Sequence, residues 1–135
     1  MPVSELSDSP IELAKHYVRN HQPLRAVELL EPWLEGYPED ASAWSALAAA
    51  RYELDNFGRA RSAAENAVNL RPRSARNWTN LGMILRKMGE YYEAERVLHR
   101  ALTVDSSYER ARVELRKIHE LRTGERRPAH EDDFV

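Results

Sequence analysis

Apolar residues recur along this chain at helical spacing, broken at regular intervals by short polar turns. Leu13, Ala14, Tyr17 and Val18 form one stripe, then Ala26, Val27, Leu29, Leu30, Trp33 and Leu34 a second, with Asn20-His-Gln-Pro23 between them. The pattern then repeats at a fixed interval. Trp44 precedes Trp78 by 34 residues, as Leu47 precedes Leu81, Ala60 precedes Ala94 and Ala67 precedes Ala101. Each period reads as two short amphipathic helices around a tight turn, and a unit of that kind buries its apolar face only by stacking on its neighbours.

Local signals set the boundaries. Ser9-Pro10 suits a helix start, with Ser as N-cap and Pro in the first turn, where its missing N–H costs nothing. Gly36-Tyr-Pro38 closes the first unit, and Pro32 inside its second helix predicts a kink or a shifted ending. Asp40 and Ser74 are candidate caps for the next two units, and Asp55-Asn56 and Gly89 mark their inner turns. Ser106-Ser-Tyr-Glu109 has the form of a capping box opening a helix to about Arg122, with Gly124 as its stop. Ala111, Leu115, Ile118 and Leu121 give that helix one apolar stripe. Arg110, Arg112, Glu114, Arg116, Lys117 and Glu120 are expected to cover the rest. Small residues at Ala26, Ala48, Ala60, Ala67, Gly82, Ala94 and Ala101 let helices approach closely, and a large side chain there should cost roughly 1–3 kcal/mol. The tryptophans and tyrosines read as packing residues, since their spacing is the repeat itself.

Over residues 9–122 the chain resembles the tetratricopeptide repeat (TPR) family. Trp44, Leu47, Ala48, Ala60, Ala67 and Pro72 carry the resemblance in one repeat, and Trp78, Leu81, Gly82, Tyr91, Ala94 and Ala101 in the next. It implies an all-α fold: a right-handed α-solenoid of three helix hairpins, about 7–40, 41–74 and 75–108, with a C-terminal capping helix 109–122. Residues 1–8 are left as a flexible leader and 123–135 as an acidic C-terminal tail. Repeat one is degenerate, with Pro10 at the tryptophan position and Trp33 at an alanine position, where it is expected to fill the open end. Met1 and the closing helix fit a complete small protein.

Members of this family are non-enzymatic adaptors whose first helices line a concave groove for a partner peptide or helix. Transferred by position, the groove here is lined by Ile11, Lys15 and Val18, then Ser42, Ser45, Ala49 and Tyr52. Next come Arg76, Thr79, Asn80, Met83 and Arg86, and then Arg110, Val113 and Lys117 of the capping helix. The partner-binding residues are expected to be Tyr52, Arg76, Asn80, Met83, Arg86, Arg110 and Lys117, a set that suits a protein or peptide partner carrying acidic groups. One subgroup clamps the acidic C-termini of heat-shock chaperones with Lys, Asn, Asn, Lys and Arg. Here Ile11, Lys15, Ala46, Arg76 and Asn80 stand at those positions, so chaperone-tail binding is not expected.

Charge and composition narrow the alternatives. Net charge is −2, spread as −1 (Glu5) over residues 1–6, −4 over 7–40, +2 over 41–74, +1 over 75–108, +2 over 109–122 and −2 over 123–135. No bulk attraction to nucleic acid is expected. No apolar run approaches the roughly 18–20 residues that span a membrane, and the first residues carry no secretory signal, so a cytoplasmic location is expected. The chain has no cysteine, no phosphate loop and no nucleophile elbow, and its five histidines lack metal-ligand spacing. Neither catalysis nor a cofactor is expected. A second reading is homo-oligomerisation: the tail Glu131-Asp-Asp-Phe-Val135 is acidic with an apolar end and would suit a basic groove, its own or a neighbour's.

Overall fold

A computed structural model describes residues 10–126; the expected leader, the Ser9 cap and residues 127–135 lie outside it. The described residues form seven helices and no strand: α1 (Pro10–Arg19), α2 (Pro23–Gly36), α3 (Ala41–Glu53), α4 (Phe57–Leu70), α5 (Ala75–Lys87), α6 (Tyr91–Val104) and α7 (Glu109–Arg126). Both ends of α3 and α5 differ by the 34-residue period, as do both ends of α2, α4 and α6. Each helix packs on its sequence neighbours, and α1, α3, α5 and α7 also pack on one another in succession, so these four form one layer of a solenoid. None of the described helices is long and apolar enough to cross a membrane.

The same chemistry builds each hairpin. The Asp40 carboxylate accepts from the Ala43 N–H at 3.1 Å, and Ser74 Oγ from the Asn77 N–H at 3.1 Å. Asn56 caps α4 through Arg59 at 3.4 Å. The turn inside each hairpin needs one residue with positive φ, and the three lie one period apart: His21 (59°), Asp55 (59°) and Gly89 (79°). Only the last has the residue type that adopts this conformation freely. The indole N–H of Trp44 donates to the Pro38 carbonyl and that of Trp78 to the Pro72 carbonyl, both at 2.8 Å. Each tryptophan thus ties its first helix to the loop that precedes it. The interior is mostly alanine and leucine, including the fully buried Leu30, Leu85, Leu98 and Ile118. At Gly82 a Cβ would lie 2.5 Å from Leu98 Cγ, so α5 and α6 meet at a distance only glycine permits.

Several local expectations are corrected. Pro32 does not shift the end of α2, which has 14 residues, like α4 and α6. Pro32 and Glu28 are both exposed, so the carbonyl four residues back can turn to water. Trp33 does not fill the open end: it stacks on Tyr37 with ring centroids 4.1 Å apart, and its indole donates to Asp40 at 3.0 Å. The capping box does not form. α7 begins at Glu109, and the preceding turn is held by the Asp105 carboxylate, which accepts from Ser107 Oγ at 2.7 Å and Ser107 N–H at 3.0 Å. These two bonds, the side-chain one first, hold the Asp105 pKa below its ordinary value. Gly124 lies inside α7, which runs on to Arg126, and Leu121 is exposed. Glu114 is not on the solvent side but is only 4% exposed.

Candidate concave binding face

The period brings Ser42, Arg76 and Arg110 to one position on α3, α5 and α7, and Ala49, Met83 and Lys117 to another. Around the first of these rows lies a concavity of about 400 Å³. Its cations are Lys15 and Arg19 from α1, Arg71 from the loop after α4, Arg76 from α5 and Arg110 from α7. Ser42, Ser45, Asn77 and Asn80 supply neutral polar groups, and no carboxylate lines it. Arg19, Arg71, Arg76 and Arg110 have no acidic partner among the described residues. Lys15 has only Glu12, at 3.6 Å. Elsewhere Arg51 pairs with Glu31, Arg61 with Glu65 and Glu93, and Arg122 with Glu95, while Arg25, Arg59, Arg73, Arg100 and Arg112 also have no acidic partner among the described residues; what sets this face apart is that its cations converge on one concavity.

A second concavity, of about 330 Å³, adjoins the first. Val18, Tyr52, Met83 and Ile84 make it largely apolar, Glu53 brings a carboxylate to it, and Asn80 and Arg110 line both. Tyr52 stands edge-on to Phe57 with ring centroids 5.6 Å apart, which fixes its ring at the rim. Arg110 spans the boundary, its Nη2 3.3 Å from Asn80 Oδ1 and 2.9 Å from Met83 Sδ. Both contacts are to neutral groups, so its charge remains available.

Of the residues expected at the groove, Tyr52, Arg76, Asn80, Met83 and Arg110 are brought together here. Arg86 and Lys117 are placed differently. Arg86 Nε donates to Glu114 Oε1 at 2.8 Å and Lys117 Nζ to Glu114 Oε2 at 3.0 Å. Burial alone would raise the Glu114 pKa, but the bonds from Arg86 and then Lys117 hold it below its ordinary value. In this triad the buried Glu114 fastens α7 to α5 through Arg86, which is left neutralised with its side chain 14% exposed, while Lys117 meets the carboxylate from the exposed side. Ile11 and Thr79, expected on the groove, are buried instead; the Thr79 hydroxyl donates to the Ala75 carbonyl at 2.8 Å. Arg19, Arg71 and Asn77 were not among the expected groove residues. Arg19 follows Lys15 by one helical turn, a signal that could have found it. Arg71 belongs to a loop, and a reading of helix faces passes over it.

Comparison with known proteins agrees with this architecture. A tetratricopeptide repeat family model matches residues 75–117. No curated protein matches the chain. Among solved structures, the Sgt2 TPR domain from Aspergillus fumigatus is similar with a TM-score of 0.82 at 18% identity, covering 96% of this chain and 85% of that one. The second TPR domain of human RPAP3, solved with the HSP70 peptide SGPTIEEVD, has a TM-score of 0.78 at 18% identity, covering 82% and 92%. The TPR2B domain of yeast Sti1, in a pHsp70 complex, has a TM-score of 0.77 at 24% identity, covering 82% and 94%. With three 34-residue hairpins in register, a closing helix and the tetratricopeptide repeat match over residues 75–117, the described residues have the all-α solenoid architecture of tetratricopeptide repeat domains, three repeats and a capping helix.

Proposed function

We propose that this protein is a non-enzymatic, cytoplasmic interaction scaffold that holds an acidic segment of a partner protein in its concave groove. One observation carries the reading: five cations converge on a concavity that no carboxylate lines, and four of them have no acidic partner among the described residues. Holding like charges together costs free energy, and a bound anionic segment relieves that cost while gaining charge-assisted hydrogen bonds. Arginine supplies forked donors for carboxylates, and Asn80 and the serines can bond to a peptide backbone. The second RPAP3 domain was solved with the HSP70 peptide SGPTIEEVD, which is acidic, and the Sti1 domain in a pHsp70 complex; both share the fold. Ala46 and Asn80 break the pattern of the chaperone clamp, so the partner here is a different acidic segment.

Capture from source-cell lysate tests this, with the intact chain beside the Arg76→Glu/Arg110→Glu variant and mass spectrometry on what is retained. The reading predicts a protein held by the first and lost by the second, with circular dichroism unchanged. Retention of the same proteins by both would refute it.

A further inference from the structure

The two concavities are ordered along the helices. On α3 the cationic one takes Ala41, Ser42, Ser45, Ala46 and Ala49, and the apolar one Ala48, Ala49, Tyr52 and Glu53; on α5 the order is Arg76, Asn77 and Asn80, then Asn80, Met83 and Ile84. At about 1.5 Å rise per residue their centres are roughly 7–9 Å apart. That span equals two or three residues of extended chain at about 3.4 Å each. A fitting ligand therefore carries a carboxylate and, two or three residues away, a large apolar side chain. Arg110 lines both concavities and lies against Met83, so a carboxylate drawn to it arrives at the rim of the apolar recess.

The chain contains this pattern. In Glu131-Asp-Asp-Phe134 the aromatic ring follows Asp132 by two residues and Glu131 by three. We infer, resting on the acidic-segment reading above, that the groove takes residues 131–135 of a second copy of this chain. Those residues lie outside the described structure, so the argument uses the groove and the order of residues. With the acids among the cations and Phe134 in the recess, the segment must run in the direction of α3 and α5. Tight turns make successive helices antiparallel, so α7 also runs in that direction. The chain leaves α7 beyond the level of the recess, since Lys117 is the equivalent of Met83 and α7 continues to Arg126. Returning into its own groove, the segment would run the opposite way and carry Phe134 toward the cations. A second copy has no such constraint, and the resulting head-to-tail contact can propagate.

Sedimentation velocity over a concentration range tests this on the full chain. The mass should rise with concentration. Phe134→Ser and, separately, Asp132→Asn/Asp133→Asn should each weaken association about tenfold or more. The decisive arm mixes the Arg76→Glu/Arg110→Glu chain, whose tail is intact, with the Phe134→Ser chain, whose groove is intact. Each alone stays monomeric, and together they pair one to one. A labelled peptide of residues 128–135 should bind the Phe134→Ser chain and block that pairing. A chain monomeric throughout, or association unchanged by Phe134→Ser, overturns the inference. If the peptide binds while the full chain stays monomeric, the second-copy assignment is wrong and the acidic-segment reading stands. An Arg76-dependent lysate partner with no binding of the peptide likewise removes this inference alone.

Discussion

Replacing Gly82 with alanine probes the close approach of α5 and α6. The added Cβ would lie 2.5 Å from Leu98 Cγ and 2.6 Å from Cδ2. Carbon atoms pack at about 3.5–4.0 Å, so one side must yield by roughly 1 Å. Leu98 is fully buried, and its Cγ is a branch point, so a terminal rotation does not clear the clash. Overpacking of this kind costs about 1–3 kcal/mol, while alanine gains about 1 kcal/mol of helix propensity over glycine. The net expectation is destabilisation by up to about 2 kcal/mol. Repeat one bounds it: the equivalent pair there is Ala14 and Leu30, both fully buried, so a hairpin can accommodate the methyl in α1, which among the described helices packs on α2 and α3. α5 has no such freedom, because it packs against α3, α4, α6 and α7. The assay is urea denaturation followed by circular dichroism, in two backgrounds. Leu98→Ala alone should cost about 2–5 kcal/mol. In that background the clash is gone, and Gly82→Ala should stabilise by about 1 kcal/mol. An equal cost of Gly82→Ala in both backgrounds would show that Leu98 is not the cause, and the close-approach argument would fail.

Three further predictions concern the backbone, the triad and the charge of the groove. Gly89→Ala should cost about 1–2 kcal/mol although no atom lies within 4 Å of the new Cβ, because φ is +79°; Asp55→Gly, at the equivalent turn, should gain about 0.5–1 kcal/mol, and thermal melts of the pair read both. Glu114 has a lowered folded pKa, so its contribution is complete above the unfolded value and is lost as pH falls through the folded one. Glu114→Gln should therefore destabilise at neutral pH by about 1–3 kcal/mol and flatten the acid limb of stability against pH; an unchanged acid limb would contradict the triad. Lys117→Gln should leave capture of an acidic partner nearly intact, whereas Arg76→Gln should weaken it about fivefold or more and reduce its salt dependence. Equal losses from the two would remove the distinction between paired and unpaired cations.

The period made most of the fold legible. Trp44 and Trp78, Leu47 and Leu81, and the alanine pairs located the hairpins, and the structure repeats their ends residue for residue. What the sequence concealed follows from chemistry that periodicity does not weigh. Ala111, Glu114, Leu115 and Ile118 fall on one helical face, yet a carboxylate there looks like a surface residue until Arg86 is seen to reach it from α5. The same pairing took Arg86 and Lys117 out of the free charge of the groove. Arg71 contributes from a loop that only the stacking of repeats brings over the concave face. Ser106 and Glu109 have the spacing of a capping box, but the inter-repeat turn places Tyr108 at the cap position and gives Asp105 the bonding role.

The most direct test of the groove reading is to map where the captured partner's acidic segment lies. Two-dimensional amide NMR of the labelled protein, titrated with that segment, resolves the two faces. The account predicts shifts concentrated at Ser45, Arg76, Asn80 and Arg110, with saturation that weakens as salt rises. Shifts centred instead on the convex side, at Arg59, Ser62 and Arg96, would contradict the claim that the unpaired cations of the concave face form the binding site.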